Sequence, residues 1–420
     1  MKDEVSGLPA RRAALRLLDA VMRTGTPMDH VVQDAAKGLP PADRALAIAI
    51  AQEVLRWTHD LDLLIDSQTR LPLAEDAKAR MVLRMALAQM LRLGTPAHAA
   101  IATALPLVEK GPRRLVHGVL GSLFRAQATL PDVPTLPFET SQRWQAAWGK
   151  DMANAAGTAL ADPPPLDLVV RDPATTPEWA TKLAGTSLAD GHIRLPRGVA
   201  IEQLDGFEEG AWWVQDMAAT LPVRMLGDGK GRTVLDLCAA PGGKTMQLAA
   251  AGWKVTAIDH SKRRTERLKA NLDRIGLSTE IIVADLMQWD APGQYDAVLL
   301  DAPCSATGTF RRHPDVLHRI GERQIAELAE LQAQMLDRAS QWVKPGGSLV
   351  YATCSLEPQE GEAQAKAFLT RNGDFAIVPA TGLPEGIRPD PDGFVRTLPP
   401  MLAAAGGLDG FFVAHFARAA

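Results

Sequence analysis

The segment that decides the fold of this 420-residue chain is Asp236–Thr245, which reads DLCAAPGGKT. It follows the apolar, β-branched run Thr233–Leu237 and precedes a helical pattern, so it predicts a turn from a strand into a helix. Gly242 and Gly243 let the backbone pass close to a ligand, and the free N–H groups at the helix start attract negative charge. Gly-Lys-Thr also ends phosphate-binding P-loops, but those loops need a glycine where Cys238 stands. The segment therefore predicts a ligand site other than a P-loop.

Strands and helices alternate from residue 232 onward. Apolar runs predict strands at Thr233–Leu237, Lys254–Asp259, Glu280–Asp285, Tyr295–Leu300 and Ser348–Ala352, separated by helical stretches. This alternation predicts a parallel, doubly wound α/β sheet with helices on both faces. Two further apolar runs, near Phe394 and at Phe411–Phe416, predict additional edge strands.

An aspartate stands at the end of each of the first four predicted strands: Asp236, Asp259, Asp285 and Asp301. Open α/β sheets bind ligands at the carboxyl ends of their strands, and Asp259 follows Asp236 at the spacing typical of a ribose-binding acid. Aligned carboxylates repel a pyrophosphate but attract a cation, which favours the sulfonium cofactor S-adenosylmethionine.

Two of the three cysteines also follow predicted strands, Cys304 within Asp301-Ala302-Pro303-Cys304 and Cys354 within Thr353-Cys354-Ser355. A single free cysteine is most often a small buried hydrophobe. Two cysteines at neighbouring strand ends, beside aligned carboxylates, favour thiolate chemistry instead.

The chain before this sheet divides into two further predicted parts. Residues 1–132 show helical periodicity only, with long helices at Pro41–Ile65 and Ala74–Leu93, and carry 17 basic and 14 acidic side chains. This excess of positive charge is a weak indication of an RNA-binding surface. Residues 133–215 begin with a proline-rich linker and predict a small α+β subdomain, and residues 216–420 form the α/β domain.

Composition excludes several other classes of protein. No segment approaches the roughly 18 consecutive apolar residues that span a bilayer, so we expect no membrane association. Three cysteines and charged residues throughout the amino-terminal stretch predict a cytoplasmic protein. We also expect a monomer without a metal site.

Four strings carry a resemblance to a known family: CAAPGGKT, DAPCSATGTFRRHPD, YATCSLEPQE and DGFFVA. They resemble, in this order, the motifs of the RNA cytosine-5 methyltransferases, in the Sun/Fmu group that modifies bacterial 16S ribosomal RNA. The similarity covers roughly residues 140–420 and implies a Rossmann-like methyltransferase domain. The preceding helical domain resembles the NusB-like RNA-binding module of this group, which implies RNA as the partner.

The resemblance also implies a role for each candidate residue. Cys354 would be the nucleophile, Cys304 would help release the product, and Asp301 would face both S-adenosylmethionine and the target base. Asp259 would hold the ribose and Asp285 would lie beside the adenine. The loop that wraps the cofactor would consist of Cys238, Ala239, Ala240, Pro241, Gly242, Gly243 and Lys244.

Several alternatives remain open at this point. The same reaction on transfer RNA is one, and a DNA cytosine-5 methyltransferase with Cys304 as nucleophile is another, although Thr353-Cys354-Ser355 speaks against it. A non-catalytic ribosome-assembly or antitermination factor is a third. The cation that activates Cys354 is also undetermined: Lys244, Arg311, Arg312 and the bound sulfonium are candidates, and the two arginines are predicted to contact phosphate.

Overall fold

A computed structural model describes residues 6–420, except for the side chain of Lys110. The first five residues of the predicted helical domain lie outside the described residues. The chain forms two compact units. Unit 1 contains the described residues up to Asp162 together with Phe310–Ile320, and unit 2 contains Pro163–Thr309 and Gly321–Ala420.

Unit 1 is a bundle of α-helices around an apolar core that includes Leu17, Trp57 and Leu83. Proline at the helix starts and glycine at the ends provide punctuation, as where Gly25 adopts a left-handed conformation after the first helix. The helices are α1 (Leu8–Thr24), α2 (Met28–Ala35), α3 (Pro41–Asp66), α4 (Lys78–Leu91), α5 (Ala97–Ala104), α6 (Lys110–Arg125), α7 (Phe138–Trp148) and α8 (Lys150–Ala161).

The segment Phe310–Ile320 belongs to unit 1 although it lies far away in sequence. The buried guanidinium of Arg56 on α3 donates hydrogen bonds to the carbonyl oxygens of Leu160 (2.8 Å) and Arg311 (2.7 Å). The rings of Trp144 and Phe310 lie 5.2 Å apart. These contacts bind the segment and α8 to the helical core. The predicted part 133–215 is therefore split, because its helices α7 and α8 pack in unit 1 and its strands lie in unit 2.

A small antiparallel sheet opens unit 2, with the strand order β2-β1-β3. Its elements are β1 (Leu166–Val170), α9 (Thr176–Lys182), β2 (His192–Leu195) and β3 (Trp212–Val214). Both tryptophans of β3, Trp212 and Trp213, are buried in apolar clusters. They are core residues and do not form a surface on which a base could stack.

The main sheet has eight strands, with the path β10-β11-β8-β7-β4-β5-β6 and β9 paired to β11. Strands β4 to β8 are parallel and β9 to β11 antiparallel, which confirms the predicted α/β class. The elements are α10 (Met217–Leu226), β4 (Thr233–Leu237), α11 (Gly243–Ala250), β5 (Lys254–Asp259), α12 (Lys262–Ile275), β6 (Glu280–Val283), β7 (Tyr295–Asp301), α13 (Val316–Arg319, in unit 1), α14 (Glu322–Ser340), β8 (Val343–Thr353), α15 (Glu362–Arg371), β9 (Phe375–Ile377), β10 (Val395–Thr397) and β11 (Phe411–Arg418).

Two details differ from the sequence-based expectation. Strand β11 is not an edge strand, because it pairs with β8 on one side and with β10 and β9 on the other. Strand β6 ends at Val283, so Asp285 follows the strand and does not end it. No helix within residues 6–420 is long and apolar enough to cross a membrane.

Candidate active site

The two predicted thiols meet beyond the ends of β7 and β8. These strands are parallel neighbours with Asp301 opposite Ala352, so the loops that follow them start side by side. The sulfur atoms of Cys304 and Cys354 lie 3.5 Å apart, within hydrogen-bond range for sulfur. Gly308 donates its N–H to the carbonyl oxygen of Cys354 at 3.0 Å, and a side chain at Gly308 would overlap the carbonyl oxygen of Gly410. Glycine is thus required for the two loops to approach this closely.

The environment of Cys304 keeps its thiol protonated. Its contact with Cys354 is the strongest influence, followed by burial and then by the charges of Cys354 and Glu360. Together they hold the pKa of Cys304 well above its usual range. Cys304 therefore retains its proton in this arrangement.

Lys244 places a positive charge beside Asp301. Its Nζ donates a hydrogen bond to Oδ2 of Asp301 at 2.7 Å and lies 5.1 Å from the centre of the Phe411 ring. Burial opposes its charge, but Asp301, followed by Cys354 and Asp236, outweighs burial and raises the pKa of Lys244. The ammonium group is thus held charged, with Asp301 and Cys354 among the groups that favour its charge.

The loop between β4 and α11 has an unusual backbone. Cys238 is left-handed with φ 61°, the Ala240–Pro241 bond is cis, and Gly242 has φ 107°. A Cβ at Gly242 would lie 2.9 Å from Cδ1 of Leu268, so this position requires glycine for both its dihedral angle and its space. Asn271 fixes the loop by donating to the carbonyl oxygen of Pro241 at 2.9 Å.

Of the predicted ligand-binding acids, Asp259 is 2% exposed. Its Oδ2 accepts the N–H of Ala240 at 3.2 Å and its Oδ1 that of Ser261 at 2.9 Å, so it ties the loop to the end of β5. Asp285 is exposed, and its Oδ1 accepts the N–H of Met287 at 2.9 Å. Asp259 and Asp301 end β5 and β7, which lie on either side of β4, and Asp285 follows β6, so the three acids lie at the carboxyl ends of the strands.

Asp236 lies at this edge in full burial. Its Oδ2 accepts a hydrogen bond from Thr245 at 2.6 Å, whereas no donor within residues 6–420 bonds its Oδ1. Burial, opposed by Thr245 and reinforced by Asp301, raises the pKa of Asp236 to about 7. The charges of Asp301 and Asp259 reinforce this shift, so the site favours a ligand that carries positive charge, as S-adenosylmethionine does.

The raised pKa of Asp236 makes a prediction for Asp236→Asn. Unfolded aspartate titrates near 3.8, whereas the folded group titrates near 7. As the pH rises from about 4 to about 7, the free energy of unfolding of the wild-type protein should therefore fall by a few kcal/mol. Above pH 7 it should change little. The variant keeps an acceptor for Thr245 and lacks this loss, so its Tm advantage should grow up to about pH 7. A Tm difference between Asp236→Asn and the wild type that stays constant from pH 4.5 to 8.5 would contradict the raised pKa of Asp236.

The environment of Cys238 makes its thiol unreactive. Burial, followed by the charges of Asp301 and Asp259, raises the pKa of Cys238 to about 12. A thiol that stays protonated at neutral pH is a poor nucleophile. Its place in the loop is consistent with the predicted contact to a cofactor and with no catalytic role.

Comparison with known proteins identifies the family. The model of the 16S rRNA methyltransferase RsmB/F family matches residues 223–417, and the NusB family model matches residues 8–125. The ribosomal RNA small subunit methyltransferase B of Klebsiella pneumoniae is 33% identical over 408 residues, covering 91% of this chain and 94% of that protein. The chain belongs to the RsmB/F family. The corresponding Erwinia tasmaniensis protein is also 33% identical, over 97% of this chain and 98% of its own length.

A solved structure supports the same fold for this RsmB/F chain. The crystal structure of PH0851 superposes with a TM-score of 0.75 at 24% identity, covering 99% of this chain and 100% of the other. Membership in the RsmB/F family confirms the predicted enzyme class, an S-adenosylmethionine-dependent RNA cytosine-5 methyltransferase. It also confirms the NusB-like character of the helical part.

The structure brings most of the predicted site residues together, with one exception and one addition. Arg311 is buried at 4% exposure, and both it and Arg312 belong to unit 1; their contact with phosphate stays a prediction. The addition is Glu360, a buried carboxylate that bonds the residues after both cysteines. The string YATCSLEPQE contained it, but an acid after a turn gives no signal in sequence of being buried.

Proposed function

We propose that this chain methylates carbon 5 of a cytosine in 16S ribosomal RNA through a covalent adduct with Cys354. The observation that carries the proposal is the contact between the sulfur atoms of Cys304 and Cys354 at 3.5 Å, beside the ion pair of Lys244 and Asp301. Carbon 5 of cytosine is a poor nucleophile until a thiolate adds to carbon 6. Covalent catalysis divides this difficulty into two easier steps.

Cys354 acts first in this scheme. Its thiolate adds to carbon 6, the ring becomes enamine-like, and carbon 5 takes the methyl group. S-adenosylmethionine supplies that methyl group when bound. Lys244 stabilises the attacking thiolate, and Asp301 holds the ammonium of Lys244 at 2.7 Å.

Cys304 acts second, and the causes of its raised pKa explain the order. Its contact with Cys354 and the charge of Cys354 both favour the protonated form. Once Cys354 is bonded to carbon 6, its sulfur carries no negative charge and is only a weak hydrogen-bond acceptor, so two of the causes that raise the pKa of Cys304 weaken. Cys304 can then lose its proton to solvent and remove the proton from carbon 5. The bond between carbon 6 and Cys354 breaks, which restores the ring and releases the product.

The cofactor would bind along the carboxyl ends of β4, β5 and β6. The left-handed turn at Gly242 and the anchored loop Cys238–Lys244 leave backbone close to a ligand, and Asp259 and Asp285 supply acceptors for its hydroxyl and amino groups. Asp301 would face its positive charge. We assign these residues to cofactor binding on this basis.

The assignment of 16S ribosomal RNA as substrate follows the names of the similar proteins. Cytosine methylation mapping of total RNA from a strain that lacks the gene tests it directly. Loss of a single site in 16S ribosomal RNA supports the proposal. Loss of sites in transfer RNA alone would refute the substrate and leave the chemistry intact.

Unit 1 would supply RNA affinity through the surface of α6. This helix contains Lys110, Arg113, Arg114 and Arg125 and no acidic residue, and the three arginines are exposed. Exposed cations bind phosphate and release counterions, so this affinity should depend on salt. A helical unit with such a face fits an RNA-binding module.

Arg114→Glu combined with Arg125→Glu tests this surface. We expect roughly tenfold weaker RNA binding, with a salt slope lower by about one for each lost phosphate contact. Fluorescence anisotropy over a range of salt concentrations measures both. Lys269→Glu combined with Arg388→Glu makes the same charge change at exposed positions of unit 2. Equal affinity and slope for the two double variants would exclude α6 from the interface.

A further inference from the structure

The residues that follow the two cysteines share one buried carboxylate, that of Glu360, which is 0% exposed. Its Oε1 accepts the N–H of Ser305 at 2.9 Å and Nε2 of Gln332 at 3.0 Å. Its Oε2 accepts the hydroxyl of Ser355 at 2.5 Å and the hydroxyl of Ser305. Ser305 follows Cys304 and Ser355 follows Cys354, so one side chain bonds to both loops.

The network extends to the strand and the helix that flank these loops. Nε2 of Gln332 on α14 also donates to the carbonyl oxygen of Pro303 at 2.9 Å, and its Oε1 accepts from the hydroxyl of Tyr351 at 3.2 Å. Tyr351 lies on β8, and its single hydroxyl hydrogen is shared between Oε1 of Gln332 and the nearer backbone carbonyl oxygen of Glu360, at 2.7 Å. The carboxylate is therefore held by rigid elements on both sides of the cysteines.

We propose that Glu360 is a positioning residue. Through its bonds to Ser305 and Ser355, its carboxylate holds the sulfur atoms of the two catalytic cysteines in contact. The inference rests on the proposed function, in which these sulfurs act in turn. A carboxylate accepts several hydrogen bonds at once, whereas an amide of the same shape turns one of its two ends into a donor. Glutamine at this position keeps a single acceptor oxygen, so the hydroxyls of Ser305 and Ser355 would have to turn and accept its amide hydrogens instead of donating to a charged oxygen.

The charge of Glu360 adds a second effect at the same place. It is one of the causes that favour the protonated thiol of Cys304. Removing the charge, and with it the close contact between the sulfurs, lowers the pKa of Cys304. The distinction between a protonated Cys304 and a reactive Cys354 then becomes smaller.

Glu360→Gln tests the proposal in the full-length protein through the thiols themselves. Alkylation by iodoacetamide, followed for each cysteine by peptide mass spectrometry across pH, reports their ionisation without RNA or cofactor. We expect the alkylation curve of Cys304 to move to lower pH. We also expect kcat for RNA methylation to fall about 100-fold, the effect of misplacing reacting groups by about an ångström, with KM for RNA unchanged.

Controls separate positioning from folding. Glu330→Gln makes the same change at an exposed position of α14 and should leave both readouts at wild-type values. If Glu360→Gln does not fold, Ser355→Ala removes one donor and keeps the carboxylate, and it should move the Cys304 curve in the same direction. Wild-type alkylation curves and kcat in a folded Glu360→Gln protein, or in Ser355→Ala, would overturn the proposal. If Glu360→Gln shifts the Cys304 alkylation curve but RNA methylation continues without Cys304 and Cys354, the proposed function is overturned and the positioning role of Glu360 stands.

Discussion

Cys354→Ala is expected to abolish methylation and to leave no covalent complex with RNA, whereas Cys304→Ala should trap one. In the proposed scheme Cys354 forms the bond to carbon 6, so its loss removes that bond. In the same scheme Cys304 removes the proton from carbon 5, so its loss stops the reaction after methyl transfer. Denaturing electrophoresis of each variant with RNA and S-adenosylmethionine should show an adduct for Cys304→Ala alone.

The double variant Cys304→Ala with Cys354→Ala serves as the control for this result. It should form no adduct, because the trapped bond is to Cys354. The opposite pattern, an adduct with Cys354→Ala that vanishes with Cys304→Ala, would make Cys304 the nucleophile. The enzyme would then work in the manner of the DNA cytosine-5 methyltransferases.

Lys244→Met is expected to lower kcat by roughly 100-fold to 1,000-fold, the range typical of removing one electrostatic contact to developing charge. Methionine fills a similar volume but carries no charge, so Asp301 loses its partner at 2.7 Å and the thiolate of Cys354 loses its cation.

The comparison variant for Lys244 is Lys269→Met. Lys269 is an exposed lysine on α12, and its replacement changes the net charge of the protein equally. Single-turnover rates from pH 6 to 9 distinguish the two variants. If both variants keep the wild-type rate and profile, Lys244 does not activate Cys354, and the bound sulfonium remains as the candidate from the sequence.

Much of the unit 2 site was predictable because it depends on strand ends. Strand runs in a parallel sheet are short and apolar, so Asp259 and Asp301 could be assigned to strand ends from the sequence, and the structure places both there. Neighbouring strands bring their following loops together, which is why Cys304 and Cys354 meet. This part of the prediction needs only the periodicity of the sequence and the topology of the sheet.

Other features depend on contacts between residues distant in sequence and could not be predicted in this way. The order of the sheet places β11 inside it, and a run of apolar residues does not specify its neighbours. Glu360 is a buried acid that four hydrogen-bond donors stabilise. Those donors come from three different segments of the chain. Arg311 reads as a surface cation, yet it is buried in unit 1.

The return of Phe310–Ile320 to the helical unit affects how the protein is made. When the first 162 residues have left the ribosome, the segment that completes this unit has not yet been synthesised. It emerges roughly 160 residues later. At about 5 to 20 residues per second, the delay is about 10 to 30 s. During this interval the nascent helices lack Phe310 beside Trp144 and the acceptor that Arg311 offers to Arg56. Release of a shortened chain before residue 320 would therefore leave an incomplete helical unit exposed to chaperones and proteases.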